Sequence, residues 1–165
     1  MYPCILLSVA LAMVSFESCA QEKESSAVPY RPITKFDPSR DAAQDMRDAV
    51  AEAERSGRRV LLDVGGEWCV WCHKLDAFFR ENEDLEVYLH KNYVVVKVND
   101  SPENKNEKVL SQFPHIKGYP HLFVLDENGK LLHSQDTGEL ESGDHHDFEK
   151  ILAFLRTWAP KTRTD

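Results

Sequence analysis

Positive charge is the first thing this chain is short of. Its 165 residues hold 20 Lys and Arg against 28 Asp and Glu, a formal net charge of −8. That deficit argues against a nucleic-acid backbone as the main partner, which requires clustered cations. Glycine (7) and proline (8) are too scarce for a collagen-like chain, and a 42% hydrophobic content is too high for wholesale disorder. No internal repeat or sustained heptad is present, and no apolar run approaches the roughly 20 residues that span a bilayer as a helix. Cysteine is scarce too, with four in all, at positions 4, 19, 69 and 72.

The run Ile5–Val14 (ILLSVALAMV) is too short to span a membrane but fits the core of a secretory signal. Ser18 and Ala20 supply small residues for cleavage before Gln21, although no Lys or Arg precedes the run. The sequence thus predicts a signal peptide over 1–20 and a periplasmic or secreted domain. Cys19, between the run and a polar stretch, offers the alternative of a lipidated N-terminus and a membrane-anchored lipoprotein. Cleavage after Ala20 removes Cys4 and Cys19. A fold stapled by several disulfides is then excluded, and only Cys69 and Cys72 remain.

Residues 21–38 are polar, carry Pro29, Pro32 and Pro38, and read as a tether that becomes ordered near Phe36. The domain is expected over 39–160, with a tail at 161–165. Its first helix is predicted over Ser39–Arg55, capped by Ser39 or Asp37 and stopped by Gly57. Val60–Val64, Tyr93–Val98 and His121–Leu125 are short β-rich runs, apolar enough to be buried on both faces. Helical spacing follows Cys69, restarts at Asn82, and recurs over Glu103–Phe113 and Asp147–Trp158, where Phe148, Ile151, Leu152, Leu155 and Trp158 share a face. Asp126–Gly129 reads as a hairpin turn into Lys130–His133. The pattern predicts one α/β domain: a small mixed sheet flanked by helices, with an N-terminal helical extension.

The chemistry sits at Cys69-Val70-Trp71-Cys72, between a buried strand and a helix. A cysteine at a helix N-terminus faces unpaired N–H groups and the positive end of the helix dipole, which favour its thiolate. Cys72, three residues on, is within bridging reach and can resolve a mixed disulfide formed at Cys69. The pair is a two-electron redox device. The same residues also spell Cys-x-x-Cys-His, the pattern of c-type haem attachment, with His73 as proximal ligand and Met46 or another His opposite. The strand before the motif argues against that reading, as cytochrome domains are helical. A zinc site is disfavoured because His145 and His146 lack ligand spacing. A binding module without catalysis is a further alternative. Gln112, His115, His145 and His146 carry no specific signal.

The stretch VLLDVGGEWCVWCHKL resembles the active-site region of thioredoxin-like proteins, with the Gly118-Tyr119-Pro120 turn before HLFVL as a second signature. The Gly-Gly-Glu-Trp-Cys start is most similar to secreted bacterial members of that family. The resemblance implies a thioredoxin-like fold and a protein-disulfide oxidoreductase with a Cys69–Cys72 redox disulfide. It implies a cis peptide before Pro120, and Tyr119 and Pro120 as one wall of a peptide groove. It makes Asp63 the proton acceptor for Cys72, paired with Lys97, though both could simply end their strands in solvent. Trp68 is expected to shield the disulfide and touch substrate. Trp71 and His121 depart from the residues usual at their positions. Trp71 is either a partner contact or packing; His121 either tunes Cys69 or is an ordinary strand end. No metal or cofactor is called for. Protein thiols and disulfides are the implied substrates, with a membrane electron donor if the protein is a reductase.

Overall fold

The computed structural model describes residues 30–161. The expected signal segment with Cys4 and Cys19, the first part of the tether and the end of the tail lie outside the described residues. The three β-rich runs form strands β1 (Arg59–Gly65), β2 (Tyr93–Asn99) and β3 (His121–Leu125), joined by β4 (Leu131–Asp136). They make one four-stranded sheet in the order β2-β1-β3-β4. β1 and β2 run parallel, with Leu62 opposite Val96 and Asp63 opposite Lys97. β3 is antiparallel to both β1 and β4. The parallel pair needs a long crossover, supplied by helices α2 (Val70–Glu81) and α3 (Glu83–Asn92).

Alternation along the strands sends side chains to two cores. Val60, Leu62, Val64, Val94, Val96, Val98, Phe123 and Leu125 pack under α1 (Ala42–Ser56). Ala49 and Ala53 are fully buried there, and their small side chains let the helix approach closely. Leu61, Tyr93, Leu122 and Val124 pack on the other face against α2, α3 and the terminal helix α5 (Phe148–Trp158). Asp63 and Lys97 belong to this second face by the same alternation.

Three boundaries differ from expectation. α1 starts at Ala42 because Asp41, not Ser39 or Asp37, turns its carboxylate to the N–H groups of Ala43 and Gln44. Asp37 is occupied with Ser39, accepting from both its N–H and its hydroxyl. The helix expected over Glu103–Phe113 is only α4, Glu107–Leu110. Asn106 before it is left-handed (φ 48°), and Asn99, Ser101 and Asn104 bind local backbone and each other instead. Phe148, expected to face inward, is 40% exposed at the first turn of α5. Two features lie beyond the sequence reading: a 3-10 turn at Thr137–Leu140, and a small hairpin of β5 (Glu141–Ser142) and β6 (His145–His146).

Candidate active site

Cys69 is the N-cap of α2. Its backbone is extended (φ −91°, ψ 105°), and its sulfur accepts the N–H of Cys72 at 3.1 Å. Sulfur therefore sits where a capping oxygen would. The following twelve-residue helix directs its positive dipole end at it. Cys69 and Cys72 are joined as a disulfide, with Cα atoms 5.3 Å apart. Cys69 is 3% exposed and Cys72 not at all. The outer sulfur is the one with a helix terminus behind it; the inner one is enclosed.

Gly65 ends β1 directly beneath this pair. A methyl group there would overlap Cys72 Sγ and come within 3.2 Å of the Phe36 ring. At the next position, a methyl on Gly66 would overlap the Trp68 indole. The two glycines thus do more than stop a strand: they let the sulfur and the indole approach the backbone.

Behind the disulfide lies a buried charge cluster. Lys97 Nζ is 2.8 Å from Asp63 Oδ2 and 2.6 Å from Asp76 Oδ1, and 4.2 Å from the centre of the Phe36 ring. Asp63 is 5% exposed and its Oδ1 has no partner. Burial pushes the Asp63 carboxyl above the usual range, against the pull of Lys97. Lys97 also lies above its ordinary value: burial works the other way, but two carboxylates outweigh it. The sequence reading missed Asp76. Its signal was spacing, since a carboxylate four residues after Cys72 lies one turn along the same helix face.

The front of the site is aromatic. Trp68 is 55% exposed, donates from Nε1 to the Asp100 carbonyl at 2.9 Å, and meets the Tyr119 ring edge-on at 5.3 Å. Tyr119 packs on the cluster of Phe36, Cys69 and Cys72. Its hydroxyl donates to Asp100 Oδ2, and burial together with that bond pushes it up to about 12. The Tyr119–Pro120 peptide is cis, and the Pro120 carbonyl accepts the buried Thr137 hydroxyl at 2.6 Å.

Trp71 is half-buried, clamped between the Lys74 ammonium (4.0 Å) and the His146 ring (5.5 Å). Lys74 also donates to the Asp144 carbonyl, tying the β5–β6 hairpin to α2. His121 is buried at the start of β3, beside Phe123, with Nε2 at 2.8 Å from Ser134 Oγ and Nδ1 unpartnered. Its burial holds the imidazole below its ordinary value. His73 turns outward and bonds the Glu67 carbonyl at 2.8 Å. With both sulfurs enclosed and His73 so directed, the Cys-x-x-Cys-His pattern is not arranged around a haem face.

A dithiol–disulfide pair at the mouth of the helix after the central strand, with a cis-proline turn beside it, defines a thiol–disulfide oxidoreductase site on a thioredoxin-like fold. Residues 41–127, more than half of the chain, match the family described as thioredoxin-like, and the chain belongs to that family. It is 28% identical over 87 residues to the thiol:disulfide interchange protein DsbD of Actinobacillus pleuropneumoniae serotype 5b, covering 52% of this chain and 15% of that protein. It is 24% identical over 132 residues to the disulfide bond reductase DsbH of Chlamydia pneumoniae, covering 75% and 63%. The solved structure of a disulphide isomerase from Xylella fastidiosa Temecula1 superposes with a TM-score of 0.64 at 25% identity, covering 74% of this chain and 94% of that one. The chain thus spans less than two thirds of either curated relative.

Proposed function

We propose that this protein is a protein-disulfide reductase working outside the cytoplasm, with Cys69 as nucleophile, Cys72 as resolving thiol and Asp63 as proton acceptor. The observation that carries the assignment is the asymmetry of the two sulfurs: Cys69 caps a helix, while Cys72 is wholly buried. In the reduced protein the Cys69 thiolate attacks one sulfur of a substrate disulfide. The other substrate sulfur leaves as a thiolate, and a mixed disulfide forms. Cys72 then passes its proton to the Asp63 carboxylate and attacks Cys69 Sγ. The Cys69–Cys72 bond forms, the second substrate sulfur departs with its electron pair, and two electrons have moved to the substrate.

Trp68, Tyr119 and Pro120 form the wall against which an extended substrate lies. Trp71 contributes its exposed edge. Lys97 holds Asp63 in place, and His121 braces the start of β3, directly after Pro120. The reducing direction is supported by the Asp63–Lys97 pair and by the name of the chlamydial relative, a disulfide bond reductase. The location is supported by the Ile5–Val14 segment; of the expected tether over 21–38, Ile33 and Phe36 are buried against the domain expected at 39–160. Re-reduction is assigned to a membrane-borne dithiol donor; among the described residues no helix is long and apolar enough to cross a membrane. Anchoring through a lipid on Cys19 is the alternative to release. The test is the reduction potential measured against glutathione. A value well below the glutathione couple supports a reductase; one well above it makes the protein an oxidant and overturns the direction.

A further inference from the structure

The segment before α1 is more than a tether. From Tyr30 to Asp37 it runs as a strap along the outer edge of β2. Ile33 makes a parallel bridge to Val96, and the Tyr30 hydroxyl donates to the Val95 carbonyl at 3.2 Å. The strap ends beneath the redox site. The Phe36 N–H donates to Glu67 Oε1 at 3.2 Å, fixing the ring to the loop that carries the cysteines. The ring is 2% exposed and clusters with Cys69 and Cys72. One side of it presses on Gly65 beside Cys72 Sγ, and Lys97 Nζ stands over its face.

We propose that Phe36 is a positioning residue of the redox site, whose ring, delivered by the strap, keeps water from the Cys72 sulfur and from the Lys97 ammonium behind it. The inference rests on the reading of Cys72 as the resolving thiol. Three observations support it independently of that reading. The ring meets the cysteines, the end of β1 and the charge cluster at once. The strap is anchored at Ile33 and Tyr30 on β2 and flanked by clefts along most of its length, one of 1260 Å³ toward α1 and one of 460 Å³ toward α2 and α3. The second cleft is lined by Asp63, Asp76 and Lys97 as well as by Ile33 and Thr34, so the strap and the charge cluster border one space.

A buried thiol ionises less readily than a solvated one, because its anion loses hydration. Removing the ring therefore makes Cys72 easier to ionise. The charged groups of its surroundings are Asp63 on β1, Lys97 on β2, Asp76 on α2 and Glu67 in the β1–α2 loop, with the Tyr119 hydroxyl held on Asp100. All of them remain in the variants.

The test follows alkylation of Cys72 against pH in a reduced Cys69→Ser background, where the serine hydroxyl still caps α2. In Phe36→Ala the midpoint is expected to fall by about one unit, roughly tenfold more thiolate at a pH below it. Phe36→Leu, which restores apolar cover, returns the midpoint toward the parent. Ile33→Ala, which loosens the strap but keeps the ring, moves it the same way by less and serves if Phe36→Ala does not fold. A structural role alone raises the alkylation rate equally at all pH values without moving the midpoint, and that result overturns the proposal. The measurement reads the Cys72 adduct by the mass of its own peptide and needs no substrate. Failure of the wild type to reduce a protein disulfide sinks the proposed function and leaves this result standing.

Discussion

The two faces of the central sheet obey different rules. Under α1 the inward side chains of β1 and β2 are aliphatic, from Val60 to Val98, and Phe123 and Leu125 of β3 join them, with His121 hydrogen-bonded to Ser134 at the strand's start. On the opposite face the same strands place Asp63 and Lys97 side by side at the end nearest the disulfide, with Asp76 coming down from α2. The first face supplies cohesion; the second gives up part of its apolar area to hold charge behind a sulfur. A buried, partly unpaired carboxylate is expensive, so it persists where chemistry rather than packing requires it. Substitutions on one face should therefore change stability, and substitutions on the other should change reactivity.

The largest separation is expected between Cys69→Ser and Leu62→Ala. Cys69→Ser should bring the dithiothreitol-driven reduction of insulin down to the uncatalysed rate while the far-ultraviolet spectrum is kept. Leu62 is fully buried under α1. Its truncation should cost about 2–5 kcal/mol in urea unfolding and leave the insulin rate per folded molecule unchanged. A Leu62→Ala protein that is folded but inactive would erase the distinction between the faces.

Gly65→Ala tests the seam, because Gly65 touches Cys72 Sγ and Phe36 together. Overpacking of this kind costs about 1–3 kcal/mol. The activity loss should exceed what that destabilisation explains, since the displaced atom is the proposed resolving sulfur. Equal loss of stability in the oxidised and reduced forms, with full activity, would show that the sulfur moves aside without consequence.

Much of this was legible beforehand, and the reasons are local. VLLDV, YVVVKV and HLFVL declare strands by composition, and a Cys-x-x-Cys after the first of them declares its place at a helix mouth. Asp63 and Lys97 are paired only through the resemblance to thioredoxin-like proteins; the strand register, which sets Asp63 opposite Lys97, supplies the physical reason. Phe36 was hidden for the opposite reason. Prolines surround it, no periodicity includes it, and its partners lie about thirty or more residues away. The β5–β6 hairpin was hidden as well, because two-residue strands have no alternation to read. What places His146 against Trp71 is a tertiary contact with no local signature.

Asp63→Asn separates charge from shape on the reactive face. Loss of the proposed proton acceptor should slow release from a Cys69 mixed disulfide by about 10²-fold or more, followed by quenched-flow trapping. Stability should respond in the other sense. The Asp63 carboxyl is raised in the folded protein, so the native state binds more protons than the unfolded chain above about pH 3.9. The stability it contributes is full below that value and is lost as pH rises through the folded value. The wild type should therefore lose stability relative to Asp63→Asn between acid and neutral pH in urea titrations. A constant difference would mean that Lys97 neutralises the burial of Asp63 completely.

The smallest effect is expected at His146, where the reactive face meets a peripheral hairpin. His146 is 2% exposed, packs on Trp71 and Phe78, and neither ring nitrogen is in hydrogen-bond geometry with a partner. Burial holds its imidazole below the ordinary 6.5, and Lys74 beside Trp71 adds a like charge. For a base lowered on folding, the unfolded chain takes up the proton first. The stability of the neutral, packed ring is thus present above pH 6.5 and is lost as pH falls through the folded value. Each unit of lowering corresponds to about 1.4 kcal/mol. As pH falls below 6.5 the hairpin amides of Glu141–His146 should exchange hydrogen progressively faster after correction for intrinsic rate, while those of β1 remain protected. His146→Phe, which keeps the edge contact with Trp71 and cannot charge, should remove the pH dependence. If the hairpin opens equally in His146→Phe, the acid sensitivity does not come from the His146 ring.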